Sequence, residues 1–255
     1  MGFRFHKNSF FCPITDFFLQ LSAGIKFFSK KRVSLQIKTD LSMNHDNYHS
    51  RIPEPALRRL PWYLSYVKLL KKQGYGKVSS TQIAKKINVS ATQIAKDLSY
   101  VNVSGKTRVG YDIDKLIGVL EDFLGFKRMH TAVLFGVGSL GAALLSDSGL
   151  EQYGLKIRAG FDVNPSIVGQ KINSIPVFHS DDFTAKNKKI DAQIGILTVP
   201  PDIAQDVADF MIAGGIQAIW NFTPFRIRVP ERIVLQNTSL YAHLAVMFNR
   251  LVKEG

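Results

Sequence analysis

The feature that most constrains the fold is a glycine-rich hexapeptide, Gly136-Val137-Gly138-Ser139-Leu140-Gly141. It follows a short apolar run, residues 131–135, whose β-branched composition predicts a buried parallel strand. Residues 142–145 have helix-forming composition. The three glycines would therefore stand at a strand-to-helix turn, where the first permits the turn, the second lets a pyrophosphate approach, and the third lets the helix pack on the strand.

A second apolar strand, residues 157–161, ends on Asp162, which follows Gly141 by 21 residues. A carboxylate there would hydrogen-bond an adenine ribose 2′-OH and would repel the 2′-phosphate of NADP. The helix N-terminus would supply N–H groups to the phosphates. The combination predicts a Rossmann-like domain that binds NAD(H). A nucleotide-binding fold with a changed ligand, such as a CoA-binding relative, stays open as the alternative.

Strand and helix patterns alternate onward to about residue 235, which predicts a parallel sheet covered on both faces. Ligands of such sheets bind at the carboxyl ends of the strands, so residues 198–200 and 221–224 should line a nicotinamide pocket. The predicted cofactor-binding residues are Gly136, Val137, Gly138, Ser139, Leu140, Gly141, Asp162, Val163, Thr198, Val199, Pro200, Asn221, Thr223 and Pro224.

Residues 79–100 have helix-turn-helix spacing. Ser79 or Ser80 would cap a first helix, Asn88 would turn the chain, and Ser90 would cap a second helix. Two helices of an ordinary bundle are the alternative, but residues 101–111 then suggest a hairpin wing with Gly105 at its tip. The resulting winged helix-turn-helix predicts DNA binding. The predicted DNA contacts are Ser79, Ser80, Ser90, Thr92, Gln93, Lys96, Ser99, Tyr100, Lys106 and Arg108.

The distribution of charge supports a DNA-binding N-terminal half and a nucleotide-binding C-terminal half. Residues 45–125 carry 13 basic and 7 acidic side chains, whereas residues 126–255 carry 13 and 11, so a polyanion should meet the N-terminal half. The one cysteine, Cys12, excludes a disulfide framework and a cysteine-based zinc site, and it predicts a cytoplasmic protein. No metal site is predicted.

The first 44 residues contain eight phenylalanines, which lie among basic residues. Asp16, Gln20 and Lys26 interrupt the apolar stretch, which argues against a secretory signal or a membrane anchor. We expect a disordered tail or translated upstream sequence, with Met43 as the natural start. The predicted division is therefore an extension at 1–44, a winged-helix domain at 45–125, a Rossmann domain at 126–236 and a C-terminal helix at 237–255.

The C-terminal helix should be amphipathic and should pack on a second subunit. Its apolar side carries Leu240, Leu244, Met247, Phe248 and Leu251. It follows a complete predicted sheet, so no groove within the same chain is left for it. The sequence therefore predicts a homodimer.

The chain resembles the Rex family of redox-sensing transcriptional repressors from residue 52 to about residue 250. The matching strings, in this order, are IPE at 52–54 with LRRLP at 57–61, VSS at 78–80, KDLSY at 96–100, VGY at 109–111, GVGSLG at 136–141, FDVNP at 161–165, VP at 199–200 and NFTP at 221–224. The resemblance implies a homodimer with exchanged C-terminal helices. Such a dimer binds operator DNA when NADH is scarce and releases it when NADH replaces NAD.

Four positions depart from the family pattern. Ala95 stands where the family usually has arginine, and Ser65, Asp147 and Ser239 stand where the resemblance places an arginine, a tyrosine and an aspartate that sense NADH. An ion pair cannot form between two serines. A dimeric NAD- or CoA-binding regulator with altered or lost switching is therefore an alternative.

An NAD-dependent oxidoreductase is a further alternative, but an enzyme needs a placed acid or base. His130, His179 and His243 form no visible constellation, and the sequence has no YxxxK pair. We predict no catalytic residue.

Overall fold

The structure is a computed structural model that describes residues 52–106 and 109–253. The N-terminal half contains α1 (Glu54–Lys72), β1 (Lys77–Val78), α2 (Ser80–Ile87), α3 (Ala91–Ser99), β2 (Tyr111–Asp112) and α4 (Ile113–Phe123). The C-terminal half contains β3 (His130–Phe135), α5 (Ser139–Ser146), α6 (Gly149–Gln152), β4 (Leu155–Asp162), β5 (Lys171–Ile172), β6 (Ile175–His179), α7 (Phe183–Ile190), β7 (Ile194–Leu197), α8 (Ala204–Ala213), β8 (Ala218–Asn221), β9 (Val234–Asn237) and α9 (Leu240–Lys253). This order confirms the predicted α/β fold.

Helix α1 begins after Pro53 and runs for 19 residues without a break, although Pro61 lies inside it. The sequence suggests that Pro61 kinks or restarts the helix, because proline removes a hydrogen bond and crowds the preceding turn. The helix continues because its apolar face packs on α2, α3 and α4. That face is buried and comprises Ala56, Leu60, Tyr63, Leu64, Val67 and Leu70.

The helix-turn-helix has the caps that the sequence predicts. The Ser79 hydroxyl accepts a hydrogen bond from the Gln82 amide at 3.1 Å, and the Gln82 side chain accepts one from the Ser79 amide at 2.8 Å, which forms a capping box. Asn88 adopts the left-handed conformation, with φ of 54°. The Ser90 hydroxyl accepts from the Gln93 amide and so begins α3. Buried Ile83, Ile94 and Leu98 lock the two helices together.

The wing differs from the predicted hairpin. Strand β2 pairs with β1 through Tyr111 and Val78, and the wing itself closes through a single bridge between Lys106 and Gly110. Gly105 is therefore not the tip, because it precedes Lys106, which already pairs with Gly110. A Cβ on Gly105 would lie 3.1 Å from the Tyr111 ring, so this glycine packs beneath the ring. Arg108, a predicted DNA contact, lies outside the described residues.

The C-terminal half is a seven-stranded sheet in the order β5-β6-β4-β3-β7-β8-β9. All neighbouring strands are parallel except β5 and β6, which pair as an antiparallel hairpin that the sequence analysis missed. Hydrophobic clusters lie among β3, β4, β7 and the helices, one centred on Phe135, Phe161 and Phe183 and another on Leu134 and Ile196. The parallel strands bring the loops after β3, β4, β7 and β8 to one edge. That edge carries every predicted cofactor-binding residue.

Among the described residues, no helix is long and apolar enough to cross a membrane.

Candidate dinucleotide and nucleic-acid sites

The glycine loop connects β3 to α5 with a backbone that only glycine allows at two of its positions. Gly136 has φ of +90°, and a Cβ there would lie 2.7 Å from the carbonyl oxygen of Thr198. A Cβ on Gly141 would overlap the carbonyl oxygen of Gly136, so the helix could not pack this closely on the strand. Gly136 thus allows the tight turn after β3, and Gly141 allows α5 to pack closely against the strand.

Gly138 differs from the other two glycines because nothing lies within 4 Å of a Cβ built on it. The open space is the approach that a pyrophosphate needs. Gly138 is also the N-terminal residue before α5, and no side chain caps that helix. The free N–H groups of the first turn and the positive end of the helix dipole would therefore favour an anion at this place.

Asp162 ends β4 beside the glycine loop. Its Oδ2 accepts a hydrogen bond from the Val137 amide at 2.6 Å, and its Oδ1 accepts one from the Asn164 amide at 2.8 Å. A carboxylate oxygen can accept a second hydrogen bond, so both oxygens keep capacity for the two ribose hydroxyls. The first bond also fixes the loop against the end of β4. Asp162 thus has the position and the chemistry of a ribose-binding carboxylate.

The loops after β7 and β8 hold their shape through side-chain hydrogen bonds. The Thr198 hydroxyl lies 2.7 Å from the Gly136 carbonyl oxygen and 2.9 Å from that of Phe135, and it donates to them. The buried Asn221 amide accepts from the Thr223 amide at 2.9 Å and donates to the Phe225 carbonyl oxygen at 2.8 Å. These side chains shape the edge of the sheet, and their amide and hydroxyl groups already form hydrogen bonds within the protein.

The predicted cofactor-binding residues differ in exposure. Gly138, Ser139, Leu140, Val163, Pro200 and Pro224 are exposed, Gly136, Asp162, Thr198 and Val199 are half-buried, and Val137, Gly141, Asn221 and Thr223 are buried. A ligand over the loops would touch the exposed and half-buried ones. The buried ones are covered by the protein itself in this structure.

A groove of about 700 Å³ lies on the N-terminal half between α2, α3 and the wing. Predicted DNA contacts from three elements line it, namely Ser79, Ser80, Ser99 and Lys106. The other predicted contacts lie on α3 or at its two caps and are half-buried or exposed, and they are Ser90, Thr92, Gln93, Lys96 and Tyr100. Hydroxyl groups and lysines of this kind suit contact with phosphates and base edges.

A buried ionic cluster that the sequence motifs do not predict joins α3 to α1. Asp97 on α3 is 0 % exposed, and Arg59 on α1 donates to both of its oxygens, at 2.7 and 2.8 Å. Tyr63 donates to Oδ2 at 2.6 Å, and the Gln93 amide nitrogen donates to Oδ1 at 2.7 Å. An acidic residue beside Ile94 and Leu98 on the apolar side of a helix was the available signal, since a buried carboxylate needs a partner.

The cluster keeps Asp97 ionised. Burial alone would raise the pKa of Asp97, but hydrogen bonds from Arg59, Tyr63 and Gln93 outweigh it and hold that pKa below its usual value. The same contacts raise the pKa of Arg59, mainly through its hydrogen bond to Asp97, and burial raises the pKa of Tyr63. Asp97 therefore acts only as a hydrogen-bond acceptor and ties α3 to α1.

One set of contacts joins the two halves of the chain. Lys68 on α1 forms an ion pair with Glu121 on α4 at 2.6 Å, and its ammonium lies 5.9 Å from the ring centre of Tyr153. Phe126 meets Tyr153 edge to face at 5.1 Å. These contacts connect the segment before β4 to α1, which also carries Arg59 and Tyr63.

Two family models match the chain. Residues 51–99 match a model described as the N-terminus of a putative DNA-binding protein, and residues 127–225 match one described as a CoA-binding domain. The fold and the two sites thus define a winged-helix protein that continues into a Rossmann-like nucleotide-binding domain.

Relatives identify the family. A protein from Bacteroides fragilis named redox-sensing transcriptional repressor Rex is 68% identical over 214 residues, which cover 83% of this chain and 97% of that protein. A protein of the same name from Porphyromonas gingivalis is 61% identical over 202 residues, which cover 79% of this chain and 93% of that protein. The chain belongs to the Rex family.

Solved structures agree with this assignment. A Rex-family repressor, RSP, in complex with NAD+ and operator DNA is 32% identical with a TM-score of 0.76, covering 80% of this chain and 94% of that one. RSP in complex with NADH is 33% identical to this chain, with a TM-score of 0.72. The match covers 80% of this chain and 96% of that one.

The residues at the unusual positions have local roles here. Asp147 accepts a hydrogen bond from the Leu150 amide at 2.9 Å and so begins α6, and Ser239 accepts one from the Ala242 amide at 3.2 Å at the start of α9. Ser65 is exposed on α1, and Ala95 lines the groove between α2, α3 and the wing.

Proposed function

We propose that this chain is a transcriptional repressor whose affinity for operator DNA depends on the NADH/NAD ratio, and that NADH releases it. The observation that carries the proposal is the pairing, on one chain, of an uncapped glycine loop beside Asp162 with a helix-turn-helix groove. Membership of the Rex family supports it. The chain is a regulator and not an enzyme.

The assignment of individual residues and domains belongs to the same proposal. The loop from Gly136 to Gly141, with Asp162, would hold the cofactor, and the exposed side chains of α3 with Lys106 would contact DNA. The domain division at residues 45–125, 126–236 and 237–255 is consistent with separate hydrophobic clusters in the two halves. We place the protein in the cytoplasm, because a repressor must reach DNA and an NADH sensor must meet the cellular pool.

We propose that α9 makes the dimer. Every residue of α9 from Leu240 to Leu251 is exposed in the single chain, although one side of it is apolar, and Phe248 is 56 % exposed. A 14-residue helix with no packed face is marginal in water, so a partner surface must cover it. A second copy of the chain provides a closed two-fold arrangement, which also matches paired operator half-sites.

Phe248→Glu should convert the dimer to a monomer, because a charge would replace an apolar contact in a covered interface. Analytical ultracentrifugation at micromolar concentration measures the change. Asn249→Glu adds the same charge to the next residue, on the polar side of the helix, and should leave the dimer intact. A dimer that survives Phe248→Glu would show that α9 is not the interface.

Lys96→Ala should weaken DNA binding, because Lys96 is exposed on the outer face of α3. Loss of a phosphate contact would weaken all sequences alike and lower the slope of log affinity against log salt by about 1. Loss of a guanine contact would instead flatten one base preference. Fluorescence anisotropy with duplex DNA selected by the protein measures both. Lys188→Ala, an exposed lysine on α7, is the matched control, and equal affinity of the two variants would place Lys96 off the DNA.

The family model that matches residues 127–225 is described as a CoA-binding domain, so CoA is a second candidate ligand. Calorimetric titration of NADH, NAD+ and CoA into the purified protein separates the two. Micromolar binding of NADH with no heat from CoA supports the proposal, and the reverse result would contradict it.

A further inference from the structure

Asp97 limits how Gln93 can present its amide. A carboxylate that stays ionised accepts hydrogen bonds and donates none, so Gln93 must turn its NH₂ group toward Asp97. The observed contact, from Gln93 Nε2 to Asp97 Oδ1 at 2.7 Å, has this arrangement. The chemistry of the partner thus fixes which end of the amide is the nitrogen.

The other partners of Asp97 make this arrangement firm. Arg59 and Tyr63 supply three more hydrogen bonds to the same carboxylate, which is fully buried. Four hydrogen bonds fill the usual capacity of a carboxylate. Asp97 therefore cannot turn away from Gln93 without breaking its contacts to α1.

The oxygen of the Gln93 amide is left for another molecule. No described residue donates to Gln93 Oε1, and the side chain is half-buried at the edge of α3. Gln93 is the third residue of α3, in the first turn, where the second helix of a helix-turn-helix contacts base edges. In the major groove, only adenine N6 and cytosine N4 donate hydrogen bonds, whereas guanine and thymine present acceptor oxygens.

We propose that Asp97 is a positioning residue that turns the Gln93 amide oxygen toward the DNA, so that Gln93 selects a base with an exocyclic amine, adenine or cytosine, at one position of each half-site. A guanine or thymine oxygen at that position would face the amide oxygen and would be rejected. The inference rests on the proposed DNA-binding function, and it adds the chemical class of the base that this side chain selects.

The test uses the full-length protein and a random duplex library. DNA selected by the wild-type protein is resynthesised with every single base substitution in one half-site, and each affinity is measured at fixed salt. We expect one position at which adenine or cytosine is preferred over guanine and thymine by about tenfold. In Gln93→Ala that preference should fall to within about twofold, while the other positions keep theirs.

Asp97→Asn provides a second variant, because an asparagine can donate to the Gln93 oxygen and so permit the opposite orientation. At the base position that Gln93 selects, Asp97→Asn should move the preference toward guanine or thymine. Loosening of the fold alone would not produce this change. Gln73→Ala, at the end of α1 and outside the groove, should keep the wild-type profile.

Two results would overturn the inference while leaving DNA binding intact. Gln93→Ala could keep every base preference, or the preference that it loses could be one for guanine or thymine. A wild-type protein that selects no motif from the library would instead overturn the proposed function, and the inference with it.

Discussion

Asp97→Ala is expected to lower the free energy of unfolding of the N-terminal half by about 3 kcal/mol, because it leaves the Arg59 guanidinium and the Tyr63 hydroxyl without their shared acceptor. Removing one member of a buried ion pair costs more than the pair itself contributes, since the remaining charge stays poorly solvated. Urea unfolding followed by far-UV circular dichroism measures the change. DNA affinity should fall as well, because α3 would lose its tie to α1.

Glu54→Ala is the matched control for this prediction. Glu54 pairs with Arg58 at 2.6 Å on the same helix, but both side chains are exposed. An exposed pair four residues apart contributes about 0.3–0.5 kcal/mol. If the two variants unfolded at the same urea concentration, the Asp97 cluster would not hold the winged helix together.

Gly138→Ala is expected to raise the dissociation constant for NADH by about tenfold or more, a loss of about 1.4 kcal/mol, without lowering stability. The backbone at Gly138 has φ of −74°, which alanine adopts without strain, and a Cβ there meets nothing within 4 Å. The added methyl group would occupy only the space that the pyrophosphate needs. Calorimetric titration of NADH, with a thermal unfolding curve of each protein, measures both quantities.

Gly118→Ala tests whether any glycine replacement would have this effect. Gly118 lies in α4, also with nothing within 4 Å of a Cβ, and alanine there should stabilise the helix by about 0.5–1 kcal/mol. Its affinity for NADH should equal that of the wild-type protein. Undiminished affinity in Gly138→Ala would mean that the phosphates do not lie over this glycine.

The sequence was sufficient to predict the features whose signals are local. The glycine spacing predicts the turn after β3, and Asn88 with its flanking serines predicts the helix-turn-helix, because caps and turns depend on neighbouring residues. The position of Asp162 follows from the rule that parallel strands end at one edge. The loops of the candidate cofactor site could therefore be assigned before the structure.

Long-range partners could not be predicted in this way. Asp97 finds Arg59 and Tyr63 at sequence separations of 38 and 34 residues, and only the packing of α1 on α3 brings them together. The amide of Asn221 likewise holds Thr223, Phe225 and Asn237, and the sequence gives no sign of these partners. Contact between Asn221 and a cofactor stays a prediction. The tip of the wing could not be placed at the right residue, because the pairing of Tyr111 with Val78 on β1 and the bridge between Lys106 and Gly110 leave no local signal.

The unusual residues bear on how a redox signal would travel. Asp147 accepts a hydrogen bond from the first turn of α6, Ser239 accepts one from the first turn of α9, and Ser65 is exposed. Ser65 and Ser239 cannot form an ion pair with each other. The contacts of Tyr153 with Lys68 and Phe126 provide another connection between the cofactor-binding sheet and α1. For NADH to change DNA affinity, it must bind the DNA-bound and free arrangements differently, by whichever contacts carry the change.

Release of DNA by NADH is the most direct test of the central claim. Fluorescent duplex DNA selected by the protein is bound at fixed salt, and NADH and NAD+ are titrated separately into the complex while anisotropy is followed. We expect NADH to release the DNA at concentrations at which NAD+ leaves it bound. Equal DNA affinity in the two titrations, with both nucleotides shown to bind, would contradict redox sensing and leave a DNA-binding protein with a structural cofactor.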